Sequence, residues 1–199
     1  MLNIAIFASG RGSNFEALQR AIVEQKFPAA IVVVISNNSS SGILTLAQSF
    51  GIPALHISQR QFSDANYFRQ NILGILRAFK VNFIVLAGYM KMLDAEIIRE
   101  YPDRIINIHP ALLPKFGGEG MYGMNVHRAV VDAHEKESGA TVHYVNEEYD
   151  EGKIIAQQRV DVSPNETPES LAAKVLAVEH QLLPRVIKML SEKNWEKGK

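Results

Sequence analysis

Short unbroken apolar runs alternate with helix-period stretches along the first half of the chain, and this alternation constrains the fold more than any other feature. Residues 4–8, 31–35 and 83–87 contain no polar interruption. A strand with one wet face alternates apolar and polar residues, whereas an unbroken run belongs to a strand covered on both faces. Between the runs, Phe15, Leu18 and Ile22, then Ile43, Leu46, Ala47 and Phe50, recur at the spacing of one helix face. Residues 67–79 read as a further helix, and 54–56, after Gly51-Ile52-Pro53, as a short strand. Strand and helix in alternation predict an α/β fold with a doubly wound, mostly parallel sheet.

The second half changes character. Residues 105–108 form a strand stopped by Pro110, and a glycine-rich loop follows over 114–123, then a short helix over 126–133. Residues 141–145 and 154–162 read as an antiparallel hairpin with Gly152 in its turn. Thr167-Pro168 opens a final helix with a capping hydroxyl and a proline in the first turn. Pro184 is expected to kink it, and the charged end at 192–199 to be a solvated tail. With no repeat, linker or low-complexity tract, a single domain over 1–199 is expected.

Composition closes off several functions. The 199 residues hold 21 Lys+Arg against 21 Asp+Glu, which excludes a polybasic nucleic-acid binder. With no cysteine there is no disulfide, thiolate zinc site or cysteine nucleophile. No apolar stretch approaches the roughly 20 residues of a membrane span. Met1-Leu2-Asn3-Ile4 lacks a basic leader, so a cytoplasmic protein without a signal peptide is expected.

Two places carry chemistry. Ser9-Gly10-Arg11-Gly12-Ser13-Asn14 joins the first strand to the first helix, where open α/β sheets bind ligands. Ser13 or Asn14 can cap that helix, and its free N–H groups favour an anion such as a phosphate monoester. Phe15 stands where a dinucleotide fingerprint needs its third glycine, and no Gly-Lys-Ser/Thr is present. A plain glycine turn remains the alternative. At the end of the 105–108 strand, Asn107 and His109 are two residues apart and project from one face. An amide donor beside an imidazole suits a carbonyl that develops oxyanion character. A structural, hydrogen-bonded histidine is the other reading. No Gly-x-Ser-x-Gly elbow supports a hydrolase triad.

The loop just described, together with Leu86-Ala87-Gly88-Tyr89-Met90-Lys91-Met92-Leu93 and Ile106-Asn107-Ile108-His109-Pro110-Ala111-Leu112-Leu113-Pro114, resembles the phosphoribosylglycinamide formyltransferase family of folate-dependent formyltransferases. So does Thr141-Val142-His143-Tyr144-Val145 followed by Tyr149-Asp150-Glu151-Gly152. The resemblance implies a Rossmann-like formyltransferase fold with a C-terminal antiparallel hairpin and final helix. It divides the chain into a phosphate-binding half (1–100) and a catalytic, folate-binding half (101–199). The implied reaction passes the formyl group of 10-formyltetrahydrofolate to the amine of glycinamide ribonucleotide, a step of purine biosynthesis, with no metal. Catalytic roles fall on Asn107 and His109, as oxyanion donors, and on Asp150, which would favour protonated His109 and help move the proton. Gly12, Ser13 and Asn14 would hold the substrate phosphate and Glu179 the ribose hydroxyls. Met90, Lys91, Met92, Leu93 and Asn107 would line the folate pocket, with Lys91 near its carboxylate end. His143, in mid-strand, reads as a packed or hydrogen-bonded neighbour outside the catalytic set.

The sequence departs from the family pattern at 117–124, which lacks proline and is longer, and at Lys91, where arginine is common. The glycines there imply a mobile loop ordering on binding. A monomer or weak homodimer is expected. Related formyltransferases, a formyltetrahydrofolate hydrolase and a non-catalytic sugar-phosphate-binding module are the competing readings. Retention of Asn107, His109 and Asp150 argues against the last, because holding phosphate needs none of them.

Overall fold

The unbroken runs form the middle of a seven-stranded sheet. In the computed structural model, which describes residues 1–193, the strands are β1 (Leu2–Ala8), β2 (Ala29–Ser36), β3 (Ala54–His56), β4 (Phe83–Leu86), β5 (Ile105–His109), β6 (Glu137–Tyr144) and β7 (Ile154–Asp161). Their order is β3-β2-β1-β4-β5-β6-β7. β1 to β5 are parallel, and β6 and β7 are each antiparallel to the strand before. The helices are α1 (Ser13–Gln25), α2 (Gly42–Ser49), α3 (Ala65–Ala78), α4 (Ala95–Glu100), α5 (Met124–Asp132) and α6 (Pro168–Ser191).

The absence of alternation in β1 has a direct cause. Ile4 and Ile6 pack into one core with Phe15 and Leu18 of α1 and Leu182 and Val186 of α6. Ala5 and Phe7 pack into a second core with Ile72 and Leu76 of α3 and Ile97 of α4. A strand between two cores must be apolar on both faces. By contrast, outer strand β7 alternates half-buried with exposed residues along most of its length.

Helix entries refine the expectations. Thr167 caps α6, its side chain accepting from the Ser170 N–H, with Pro168 in the first turn. α6 continues as one helix through Pro184 to Ser191. α1, in contrast, is capped by neither Ser13 nor Asn14, contrary to expectation. Its N-cap is Gly12 at φ 88°, with no side-chain cap bond. A Cβ on Gly12 would stand 2.7 Å from Ile43 Cγ1, so glycine is needed there for backbone sign and for the close approach of α2. α4 was not foreseen: six residues are too few for a legible period, although Asp94 caps it by accepting from Glu96 N–H. The expected charged tail lies, from residue 194 on, outside the described residues.

β1 is flanked by β2 on one side and β4 on the other, so the chain leaves the sheet in opposite directions from neighbouring strands. A crevice opens at such a switch point, beyond the carboxyl ends of the strands.

Candidate active site

A cleft of about 610 Å³ occupies this crevice. Ser9 draws its walls together. Its hydroxyl donates to Asn37 Oδ1 at 2.7 Å and accepts from Met90 N–H at 2.9 Å, tying the loops after β1, β2 and β4. The cleft is lined by Arg11, Asn14 and Glu179, by Met90, Lys91, Met92 and Leu93, and by Asn107, His109 and Asp150. Gly12 and Ser13 are not among the lining residues. Both halves of the chain therefore contribute to one cavity.

Asn107 and His109 do project together from the end of β5, and β6 and the following turn complete the cluster. The antiparallel register pairs Asn107 with His143. Asn107 Nδ2 lies 3.2 Å from His143 Nε2 and donates to Asp150 Oδ1 at 3.4 Å. His143 Nδ1 donates to the Tyr144 carbonyl at 2.9 Å, which leaves Nε2 facing Asn107 and Asp150. Asp150, in the left-handed region at φ 57°, brings Oδ2 to 3.5 Å from His109 Nδ1 and Oδ1 to 3.5 Å from His143 Nε2. His143 is thus the buried, hydrogen-bonded neighbour expected, and its partners are Asn107 and Asp150. Strand register sets the Asn107 pairing, and it can be read only once β5 and β6 are known to be adjacent and antiparallel.

The two groups shift each other's titration. Burial holds the His109 pKa below its ordinary value, outweighing the upward pull of Asp150 and the Phe116 carbonyl. Asp150 favours the protonated ring, as expected, and burial opposes it more strongly. Burial would push Asp150 up, but the His143 hydrogen bond, the His109 charge and the Gly118 N–H together hold it below the usual carboxylate range.

The Asn14–Glu179 pair is built differently. Asn14 Nδ2 donates to Glu179 Oε2 at 2.9 Å, linking α1 to α6. Glu179 is 7% exposed, and burial pushes its pKa up to about 7, with only the Asn14 bond opposing. Asn14 Oδ1 is buried without a partner, leaving an acceptor for a ligand N–H or O–H. Asn14 is thus drawn to α6 rather than to capping its own helix.

Elsewhere in the cleft, Met90 and Met92 are about half exposed, Lys91 is exposed and Leu93 is buried. Tyr89 meets Phe7 edge to face at 5.5 Å. His127 of α5 also lines the cleft; it is buried, with Nδ1 unpartnered, and had no sequence signal beyond its apolar helix face. The Leu113-Pro114 peptide, beneath the glycine-rich loop, is cis. Among the described residues no group of three or more His, Asp or Glu is placed to hold a metal ion, and no helix is long and apolar enough to cross a membrane.

Residues 2–187 match the formyl transferase family model. The chain is 42% identical over 191 residues to the chloroplastic phosphoribosylglycinamide formyltransferase of Arabidopsis thaliana, covering 95% of this chain and 65% of that protein. It therefore spans just under two thirds of that relative's length. The phosphoribosylglycinamide formyltransferase of Bacillus subtilis is 35% identical, with 96% and 95% of the two chains covered. The crystal structure of phosphoribosylglycinamide formyltransferase from Brucella melitensis superposes with a TM-score of 0.88 at 40% identity, over 100% of both chains.

Proposed function

The chain belongs to the formyl transferase family, and on that premise we propose that it transfers the formyl group of 10-formyltetrahydrofolate to the amine of glycinamide ribonucleotide. The observation that carries this reading is the meeting of Asn107, His109, His143 and Asp150, with contacts of 3.2–3.5 Å, in a cleft that Asn14 and Glu179 also line.

The residues fit both substrates. The uncapped start of α1, with Arg11 beside it, suits a phosphate. Gly12, Ser13 and Asn14 would contribute backbone N–H groups to it, and Glu179 would accept from ribose hydroxyls. Met90, Met92 and Leu93 offer an apolar wall for a pterin ring, and Lys91 a cation toward the folate carboxylates. One domain over 1–199 would then carry the whole reaction.

Attack of the amine lone pair on the formyl carbon forms the new N–C bond and moves the carbonyl π pair onto oxygen. Asn107 Nδ2, releasing its long bond to Asp150, would donate to that oxyanion, and the His109 ring would stabilise it as an imidazolium. The attacking nitrogen releases one proton, which the His109–Asp150 pair would take up and return to the leaving nitrogen of tetrahydrofolate. The C–N bond to that nitrogen then breaks as the carbonyl reforms. His109, held neutral by burial, is suited to receiving this proton. Positioning and charge stabilisation would supply the acceleration, with no covalent enzyme intermediate.

A spectrophotometric assay with glycinamide ribonucleotide and a 10-formyl folate tests the proposal. Tetrahydrofolate formation that depends on the ribonucleotide is expected. Turnover with water or another amine, and none with this pair, would overturn it.

A further inference from the structure

The His109 ring is held at both nitrogens by partners of different kinds. Nε2 lies 2.8 Å from the Phe116 carbonyl oxygen. A carbonyl can only accept, so Nε2 carries the proton. Nδ1 faces Asp150 Oδ2, and the Gly118 N–H donates to that same oxygen at 3.0 Å. Two backbone groups, one on either side of Gly117, therefore hold the two members of the His109–Asp150 pair.

Gly117 is where this segment leaves no space for a side chain. A Cβ there would stand 2.5 Å from Leu113 Cδ2 and 3.1 Å from Asp150 Cβ. Phe116 at φ 57° and Gly118 at φ 98° both lie in the left-handed region. A non-glycine residue seldom adopts that conformation unless its surroundings impose it. Here the conformation turns the Phe116 carbonyl to one side of Gly117 and the Gly118 N–H to the other.

We propose that the backbone of residues 116–118 is the positioning element of this site: the Phe116 carbonyl fixes His109 as the Nε2–H tautomer, making Nδ1 the nitrogen that exchanges the proton, while the Gly118 N–H fixes the Asp150 oxygen facing it. What the proton is used for rests on the formyl-transfer reading; the tautomer does not. The proton released by the attacking amine binds the Nδ1 lone pair, giving an imidazolium whose Nε2–H stays on Phe116 and whose new Nδ1–H points to Asp150. The same proton then leaves Nδ1 for the departing nitrogen, and the ring returns to its starting tautomer without turning over. A backbone carbonyl suits this task because it neither titrates nor donates.

The test is the nitrogen NMR spectrum of histidine-labelled protein without substrate, read beside the kinetics of Gly117→Ala. The wild-type His109 is expected as the Nε2–H tautomer, and Gly117→Ala as a mixture of tautomers. The same variant should lose about tenfold or more in kcat while its KM for the ribonucleotide stays within about twofold, because the added Cβ meets Leu113 and Asp150 and neither Asn14 nor Glu179. Gly74→Ala, where a Cβ meets nothing within 4 Å, should change neither readout. An Nδ1–H tautomer in the wild type would overturn the proposal, as would a folded Gly117→Ala with unchanged kcat. If Gly117→Ala fails to fold, the wild-type spectrum alone decides. An Nε2–H spectrum without turnover on the proposed substrate pair would leave the clamp standing and remove the formyl-transfer reading instead.

Discussion

Two carboxyl groups line one cleft, and the protein shifts them in opposite directions. Burial pushes both upward, Glu179 being the more deeply buried of the two. Glu179 has one neutral donor, Asn14, and its pKa rises to about 7. Asp150 has two histidines and the Gly118 N–H around it, and its pKa falls. Partners, and not burial alone, decide which carboxyl stays charged at neutral pH. Environments that separate the pKa values of two carboxyls also separate their roles. The charged one faces the group that gains and loses a proton. The one poised to be neutral can donate or accept a hydrogen bond to hydroxyls.

Removing the charge at Asp150 should have the largest effect. Asp150→Asn keeps the shape but withdraws the partner of the imidazolium, and kcat should fall about 10³-fold. Ribonucleotide binding, measured by calorimetry, should change by less than about twofold. A comparable loss in both would mean that the two carboxyls do not have separate roles.

At Glu179 the effect should appear in stability. Because the folded pKa of Glu179 lies above that of the unfolded chain, the folded state holds the extra proton between about pH 4.5 and 7. This group therefore lowers stability as pH rises through that window, by up to about 3 kcal/mol. Glu179→Gln should remove that slope and gain on the wild type from pH 5 to pH 8 in urea unfolding. An unchanged slope would place the carboxyl in a wetter site than its 7% exposure implies.

A smaller shift sharpens the same contrast. Asn14→Ala removes the one group that lowers the Glu179 pKa, so the carboxyl should titrate higher still in carbon NMR. Asp150 should not respond. Smallest of all, Gly74→Ala on the exposed face of α3, outside the cleft lining, should add about 0.5–1 kcal/mol of stability and leave kcat alone.

Much of the fold was legible because its causes are local. Two-sided burial of β1 and β4 appears as unbroken apolar runs, and the start of α6 as Thr167-Pro168. The Asn107–His109 pair was legible for the same reason: strand parity alone puts both on one face. α4 was too short to show a period. The entry of α1 was misread because Asn14 finds its partner, Glu179, 165 residues away. His143 was set aside because strand parity says nothing about which strand lies alongside, and only the β5–β6 register places it against Asn107.

Taken alone, then, the amino-acid order determined the alternation of strand and helix, the neutral cysteine-free composition that excludes thiolate and polybasic chemistry, and the residue types available at each loop. These follow from periodicity and composition, which are properties of neighbouring residues. The tertiary structure decided the protonation states: the neutral His109, the low Asp150 and the high Glu179. A pKa is set by the water removed and by the charges brought within a few ångströms, and those arrive from distant parts of the chain.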